Sequence, residues 1–273
     1  LNFITTYFFN SYNQLKEVGW FRNALYLFVL YRLILFSFYF DELFSSNALI
    51  YNHSGNGNLL FNIVYFLNNY YSPLLAFAFI VAAVVFVVIG LFGKSNYITN
   101  TLLWFIIINF NAYLYPVLTG GDFLLNQFLL FNILLKPKVS NHAVINQLKI
   151  FTHNFGLIAL KIQICLAYFL AGYFKLIDES WYSGEAITTT FNVPEYSNYI
   201  FKSFPHVFNV ALTYLTIIYQ LCFPVLVWIR PFKIYLFAFG ITQHLLIAFG
   251  IGLFSFGIIM VISYILFLKY DNK

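Results

Sequence analysis

Long apolar runs separated by short polar breaks make up most of the chain, and the runs do not alternate between apolar and polar residues. A helix needs about 20 largely apolar residues to cross a bilayer core, whereas membrane barrels are written in short alternating segments. The pattern therefore predicts eight membrane helices: Ala24–Phe40, Pro73–Phe92, Tyr97–Leu118, Phe123–Leu135, Phe151–Ile177, Val207–Trp228, Ile234–Phe249 and Gly257–Leu268. The fourth is short, and a bend rich in glycine (Gly250, Gly252, Gly257) divides the last two. Leu1–Asn23 mixes apolar residues with Asn, Ser, Lys16 and Glu17, and it reads as an amphipathic interfacial segment with Trp20 and Phe21 at the headgroup level. Residues 24–273 read as a single transmembrane domain. Between the runs lie a polar loop over Asp41–Ser72, a basic loop over Lys136–Lys149 and a second polar loop over Asp178–Pro205. The first loop holds an Asn-His-Ser-Gly-Asn-Gly-Asn turn cluster and a short helix at Leu59–Leu67. The last holds a short helix at Glu185–Phe191 that ends before Pro194.

Charge gives these helices a direction. With the N-terminus in the cytoplasm, Lys16, Arg22, Lys94, Lys136, Lys138, Lys149, Arg230, Lys233, Lys269 and Lys273 all fall inside. The outer segments collect Asp41, Glu42, Asp122, Asp178, Glu179, Glu185 and Glu195, with Lys202 as their lysine and Lys175 at a helix end. That asymmetry obeys the positive-inside rule and places both termini in the cytoplasm. Richness in Phe, Tyr, Ile and Asn suggests an AT-rich bacterial genome, so the expectation is a multi-pass protein of a bacterial inner membrane, with the lipid bilayer as its main partner.

Composition agrees. Of 273 residues, 62% are hydrophobic and 8% charged, against roughly a quarter charged in soluble domains. The fold class is all-α, a polytopic helical bundle with no room for a large soluble domain. A net charge of +5 in such a chain follows from lysine and arginine retained on one side and gives no reason to expect nucleic acid. Cys165 and Cys222 fall inside predicted spans and read as small buried apolar residues. No Cys/His spacing of the zinc type occurs, so no metal is expected. No internal repeat is visible, which argues against an inverted-repeat transporter.

Against this apolar background a few polar residues stand out. Lys175 ends an apolar run on the outer side, against the charge rule. It reads either as a snorkelling lysine or as a partly desolvated amine able to act as a base. Arg32 and Lys161 lie deeper, where charge is expensive and must face the bundle interior. Asp122 follows Gly120-Gly121 and can cap the fourth helix, serve a site, or do both. His244 lies inside the seventh run, either as a hydrogen-bonded core histidine or as a catalytic one. Asn111, Tyr113 and Tyr115 lie near the outer end of the third helix. The topology thus brings polar groups from four helices to one membrane level.

The stretch Tyr-Phe-Leu-Ala-Gly-Tyr-Phe-Lys-Leu-Ile-Asp-Glu-Ser-Trp-Tyr-Ser-Gly (Tyr168–Gly184) resembles the motif of the vitamin K-dependent gamma-carboxylase superfamily, whose bacterial members are the horizontally transferred transmembrane domain proteins. That pattern is an apolar helix ending in Ala-Gly, then a lysine, then a Trp-x-x-Gly turn. Three further stretches are similar: Tyr31-Arg32-Leu33, Asn111-Ala-Tyr-Leu-Tyr115 with Gly121-Asp122, and His244 with Ile251-Gly-Leu-Phe254. The resemblance implies that Lys175 is the base that deprotonates a reduced quinone, with His244 and Asp122 as catalytic partners. It also implies that Arg32, Asn111, Tyr115 and Trp181 contribute to cofactor binding. Menaquinol or a related lipoquinone is the cofactor it implies. Asn111 stands where the carboxylase has a histidine implicated in carboxylation, and the large lumenal domain of the animal enzyme has no counterpart here. Lipoquinol binding or oxidation is therefore the activity expected, rather than protein carboxylation. The alternative expectation is a non-catalytic accessory subunit, packed by its aromatic faces against other membrane subunits.

Overall fold

The computed structural model describes residues 2–45, 66–135, 142–194 and 204–268. The turn cluster of the first loop, most of the helix expected at Leu59–Leu67, and Lys136, Lys138, Glu195, Lys202, Lys269 and Lys273 lie outside the described residues. Among the described residues every regular element is helical. Five helices are long and apolar enough to cross a membrane: Leu15–Phe38, Pro73–Leu91, Ala143–Ile177, His206–Leu226, and Arg230–Leu245 with its continuation to Gly250. Shorter helices occupy the other expected spans, at Tyr97–Tyr113, Gly120–Asn132 and Phe254–Ser263. At 1.5 Å per residue, the 13 residues of Gly120–Asn132 extend about 20 Å against a hydrocarbon core of about 30 Å. The chain is therefore all-α, with several helices of the kind an integral membrane protein requires.

Two helix boundaries differ from the sequence pattern. The first long helix opens at Leu15, inside the stretch that reads as interfacial, and Phe21 is fully buried against Phe128 instead of facing headgroups. Trp20 is exposed and lies under the Lys16 ammonium. The fifth run begins at Ala143, so the end of the basic loop is already helical. Both extensions carry polar residues that complete a helical turn, where hydropathy alone registers a break.

The chain divides into two compact units, Leu1–Leu157 with Tyr270–Lys273, and Ile158–Lys269. In the first, Gly90 lets two helices meet: a Cβ there would lie 2.5 Å from the Tyr26 ring. Phe40 meets Phe77 at the other end of the same pair. Tyr26 thus lies beside the end of Pro73–Leu91 while Phe40 lies beside its start, so the two helices run antiparallel. Tyr97–Tyr113 starts from a capping box between Asn96 and Thr99. Phe36, Phe44 and Phe110 close the core near its far end.

In the second unit, Gly172 brings the long helix against Leu221 of His206–Leu226, where a Cβ would sit 2.9 Å from the leucine side chain. The loop after Ile177 forms the short helices Glu179–Tyr182 and Ala186–Asn192. Gly184 joins them with φ of 88°, a backbone conformation open to glycine at little cost. Tyr214 donates to the Tyr182 carbonyl at 2.9 Å and ties the turn to the next helix.

Candidate functional site

The residues singled out by sequence fall into three sets of partners. The first lies in the Leu1–Leu157 unit. Asp122 sits in the first turn of its helix and accepts from the Thr119 backbone N–H at 2.8 Å and the Thr119 hydroxyl at 2.9 Å through one oxygen. Its other oxygen pairs with the Arg32 guanidinium. Asn111 donates to the Asp122 backbone carbonyl at 3.1 Å. Arg32 also lies over the Phe36 ring, 5.2 Å from its centroid. Asp122 is therefore cap and ion-pair partner together, with both oxygens engaged. Tyr115 stands apart from this set, with 65% of its surface exposed.

The second set surrounds Lys175. Its amine lies 4.5 Å from the Trp181 ring centroid and 3.4 Å from the Ala171 carbonyl, one turn earlier. Tyr173, Phe174, Leu176 and Ile177 are exposed on the same helix end, while Lys175 is half-buried. A snorkelling lysine stretches its head toward water. Lys175 instead folds back along the apolar helix and is covered by the indole. The hydroxyl and backbone N–H of Ser180 hold the exposed Asp178 carboxyl below its ordinary range, and the Lys175 charge adds to that pull.

The third set belongs to His244, which is buried. Its Nε2 lies 2.7 Å from the Tyr168 hydroxyl. Tyr168 lies 2.5 Å from the Tyr264 hydroxyl, and Tyr264 lies 2.9 Å from that of Tyr219. Tyr219 lies 3.2 Å from the Leu236 carbonyl. A carbonyl can only accept and each hydroxyl has one proton, so the chain has one direction. Tyr219 donates to Leu236, Tyr264 to Tyr219, and Tyr168 to Tyr264. His244 must then donate from Nε2, which leaves its Nδ1 as a lone-pair acceptor. That Nδ1 is buried and has no hydrogen-bond partner.

The local backbone makes room for this chain. A Cβ on Gly240 would collide with the hydroxyls of Tyr219 and Tyr264, and one on Gly257 with the His244 carbonyl. Directly after His244 the helix widens into a π-helical turn at Leu246–Gly250, a distortion that recurs at functional sites. Tyr168 stacks on Phe223 with centroids 4.0 Å apart. Sequence reasoning found His244 but not its three tyrosines, which look like any others among 22. One signal was present: Lys161, Tyr168 and Lys175 recur every seven residues, which puts them on one helix face. Lys161 is buried and lies over the Phe267 ring, 5.8 Å from its centroid.

Among the described residues no three His, Cys, Asp or Glu side chains gather as a metal site would require. Comparison with protein-family models, with curated proteins and with solved structures found no match. The class defined by the fold is thus an all-α membrane protein whose second unit carries a buried tyrosine–histidine chain.

Proposed function

We propose that this protein binds a lipoquinol within the membrane and that Ile158–Lys269 carries the site. The observation that carries this reading is the unpaired Nδ1 of His244 at the end of a one-way donor chain. Leaving a buried acceptor unmade costs about 1–3 kcal/mol. A hydroxyl donor on a flat apolar ring removes that cost, and a quinol offers such a hydroxyl. Tyr168 and Lys175 are two turns apart on one face of the helix, about 10 Å along the axis. In this reading Lys175 takes a proton from the bound quinol, as the resemblance of Tyr168–Gly184 to the vitamin K-dependent carboxylase motif implies, and Trp181 covers the amine. Arg32, Asn111 and Asp122 act in folding the other unit. The eight-helix topology with both termini in the cytoplasm belongs to the same proposal, on the strength of the lysine and arginine distribution.

The test is quinol consumption in aerobic membranes, measured beside equilibrium binding of a quinol analogue. Lys175→Ala and Lys175→Arg should both lose turnover while binding persists, because arginine keeps the charge but does not deprotonate. His244→Phe should lose binding. Binding and turnover that survive all three substitutions would refute the proposal. A wild-type protein with neither would make the accessory-subunit reading the better one.

A further inference from the structure

Arg22 occupies the eighth position of the Leu15–Phe38 helix and is only 7% exposed. Its guanidinium donates to the Ser95 hydroxyl at 2.5 Å, the Tyr26 hydroxyl at 3.0 Å and the Leu135 carbonyl at 3.4 Å, and it lies 5.8 Å from the Tyr26 ring centroid. Every one of these partners is neutral. Among the described residues no carboxylate forms an ion pair with it. The Nε atom is buried with no partner. Arg32, ten residues on, shows what this chain does with a buried arginine when an acid is provided. The Leu135 carbonyl, just past the Gly120–Asn132 helix, supplies only a fraction of a charge. A buried charge without a counter-charge is among the most costly arrangements in a fold.

The surroundings are made for an anion. Tyr26 passes its proton to Asn100 at 2.8 Å and accepts from Asn132 at 3.3 Å, so the hydroxyl network is fixed around the guanidinium. Ser95 is half-buried and opens to the surface at Gly93-Lys94, where Gly93 takes a φ of 70° and Lys94 is exposed. A guanidinium and a hydroxyl, with the exposed Lys94 next to Ser95 in the sequence, are donors of the kind that hold a tetrahedral oxyanion. Arg22 lies about 10 Å along the axis from the start of its membrane helix. Leu15–Phe38 is long and apolar enough to cross a membrane, and Arg22 lies within its first three turns.

We propose that Arg22, with Ser95 and Lys94, binds the phosphate group of an acidic phospholipid that supplies the missing counter-charge. This site lies in the Leu1–Leu157 unit and does not depend on the quinol reading.

The test is the thermal midpoint of the purified full chain in neutral detergent. Phosphatidylglycerol, phosphatidylcholine and inorganic phosphate are added in separate arms. Phosphatidylglycerol should raise the wild-type midpoint by about 3 °C or more, and phosphatidylcholine much less. Arg22→Gln should abolish the difference between the lipids and should itself be no less stable than wild type without lipid. Should that variant fail to fold, Ser95→Ala and Lys94→Ala decide, each with a reduced shift expected. An equal rise with inorganic phosphate alone would replace the lipid by a free ion as the ligand and overturn the lipid assignment. No rise with either phosphate source, or the same rise in Arg22→Gln or in both mouth variants, would overturn the site itself.

Discussion

Replacing Asp122 by asparagine isolates the value of one buried charge. The side chains of Arg32 and Asp122 are 11% and 2% exposed, so water screens the pair little. The substitution keeps the shape of the side chain but offers one acceptor oxygen where the carboxylate used two, one for Arg32 and one for Thr119. Removing one partner of a buried pair costs about 3–5 kcal/mol, because the other charge stays behind. If the single amide oxygen turns to Arg32, the Thr119 cap is lost, at a cost of about 1 kcal/mol. The amide cannot serve both. Asp122→Asn should therefore destabilise by at least 3 kcal/mol, read as the shift in unfolding free energy during denaturation in mixed micelles. Arg32→Met/Asp122→Asn should recover most of that loss, since no unpaired charge remains, and the two sites should be strongly coupled. A single variant within about 0.5 kcal/mol of wild type, or one no better off when Arg32 is also removed, would refute the reasoning.

Gly240→Ala should break the tyrosine chain without touching His244, since the added methyl collides with the Tyr219 and Tyr264 hydroxyls. A loss of stability of about 1–3 kcal/mol in micelle unfolding is expected, and stability unchanged from wild type would contradict the packing. Acidification should release the turn at Asp178. Its carboxyl is held below the ordinary value, so the hydrogen bonds to Ser180 are complete at neutral pH and are lost as pH falls below about 4. The Trp181 signal, taken as wild type minus Trp181→Phe fluorescence, should change only in that acid range, and a midpoint above it would be the wrong sign.

The membrane class was legible because apolar run length is a direct property of the sequence. So was the pairing logic at Arg32, since a deep charge demands a partner, though the partner's identity rests on how Gly120–Asn132 packs. The Trp-x-x-Gly turn after Lys175 was also legible, and Gly184 adopts the positive φ such a turn uses. Arg22 was misplaced. It precedes the apolar run and counts as a loop cation, yet the helix opens at Leu15 and buries it. Helix starts set by a polar turn are invisible to hydropathy. The tyrosine chain was hidden for a different reason. Its members come from sequence positions 168, 219 and 264, and in each local window the hydroxyl is a minor feature of an aromatic apolar residue.

The engagement of Asp122 bears on how Lys175 can act. A carboxylate in direct contact with a lysine keeps the amine charged, and that would exclude it as a base. Both Asp122 oxygens are taken by Arg32 and Thr119, so the acid that sequence suggested as a partner is already committed. What holds Lys175 is the Trp181 face and the Ala171 carbonyl, with Asp178 exposed at the helix end. An indole favours the ammonium by about 0.5–2 kcal/mol, far less than the several kcal/mol of a buried ion pair. A ligand ring that displaces Trp181 would remove that restraint and bury the amine in one step. Under the proposed function, proton transfer from a quinol would be tied to entry of the quinol itself. On this reasoning Trp181→Leu should weaken control of the amine without removing it, so turnover should persist while the pH profile moves toward lower pH. A profile unchanged by Trp181→Leu would mean that the indole is a membrane anchor and plays no part in gating the base.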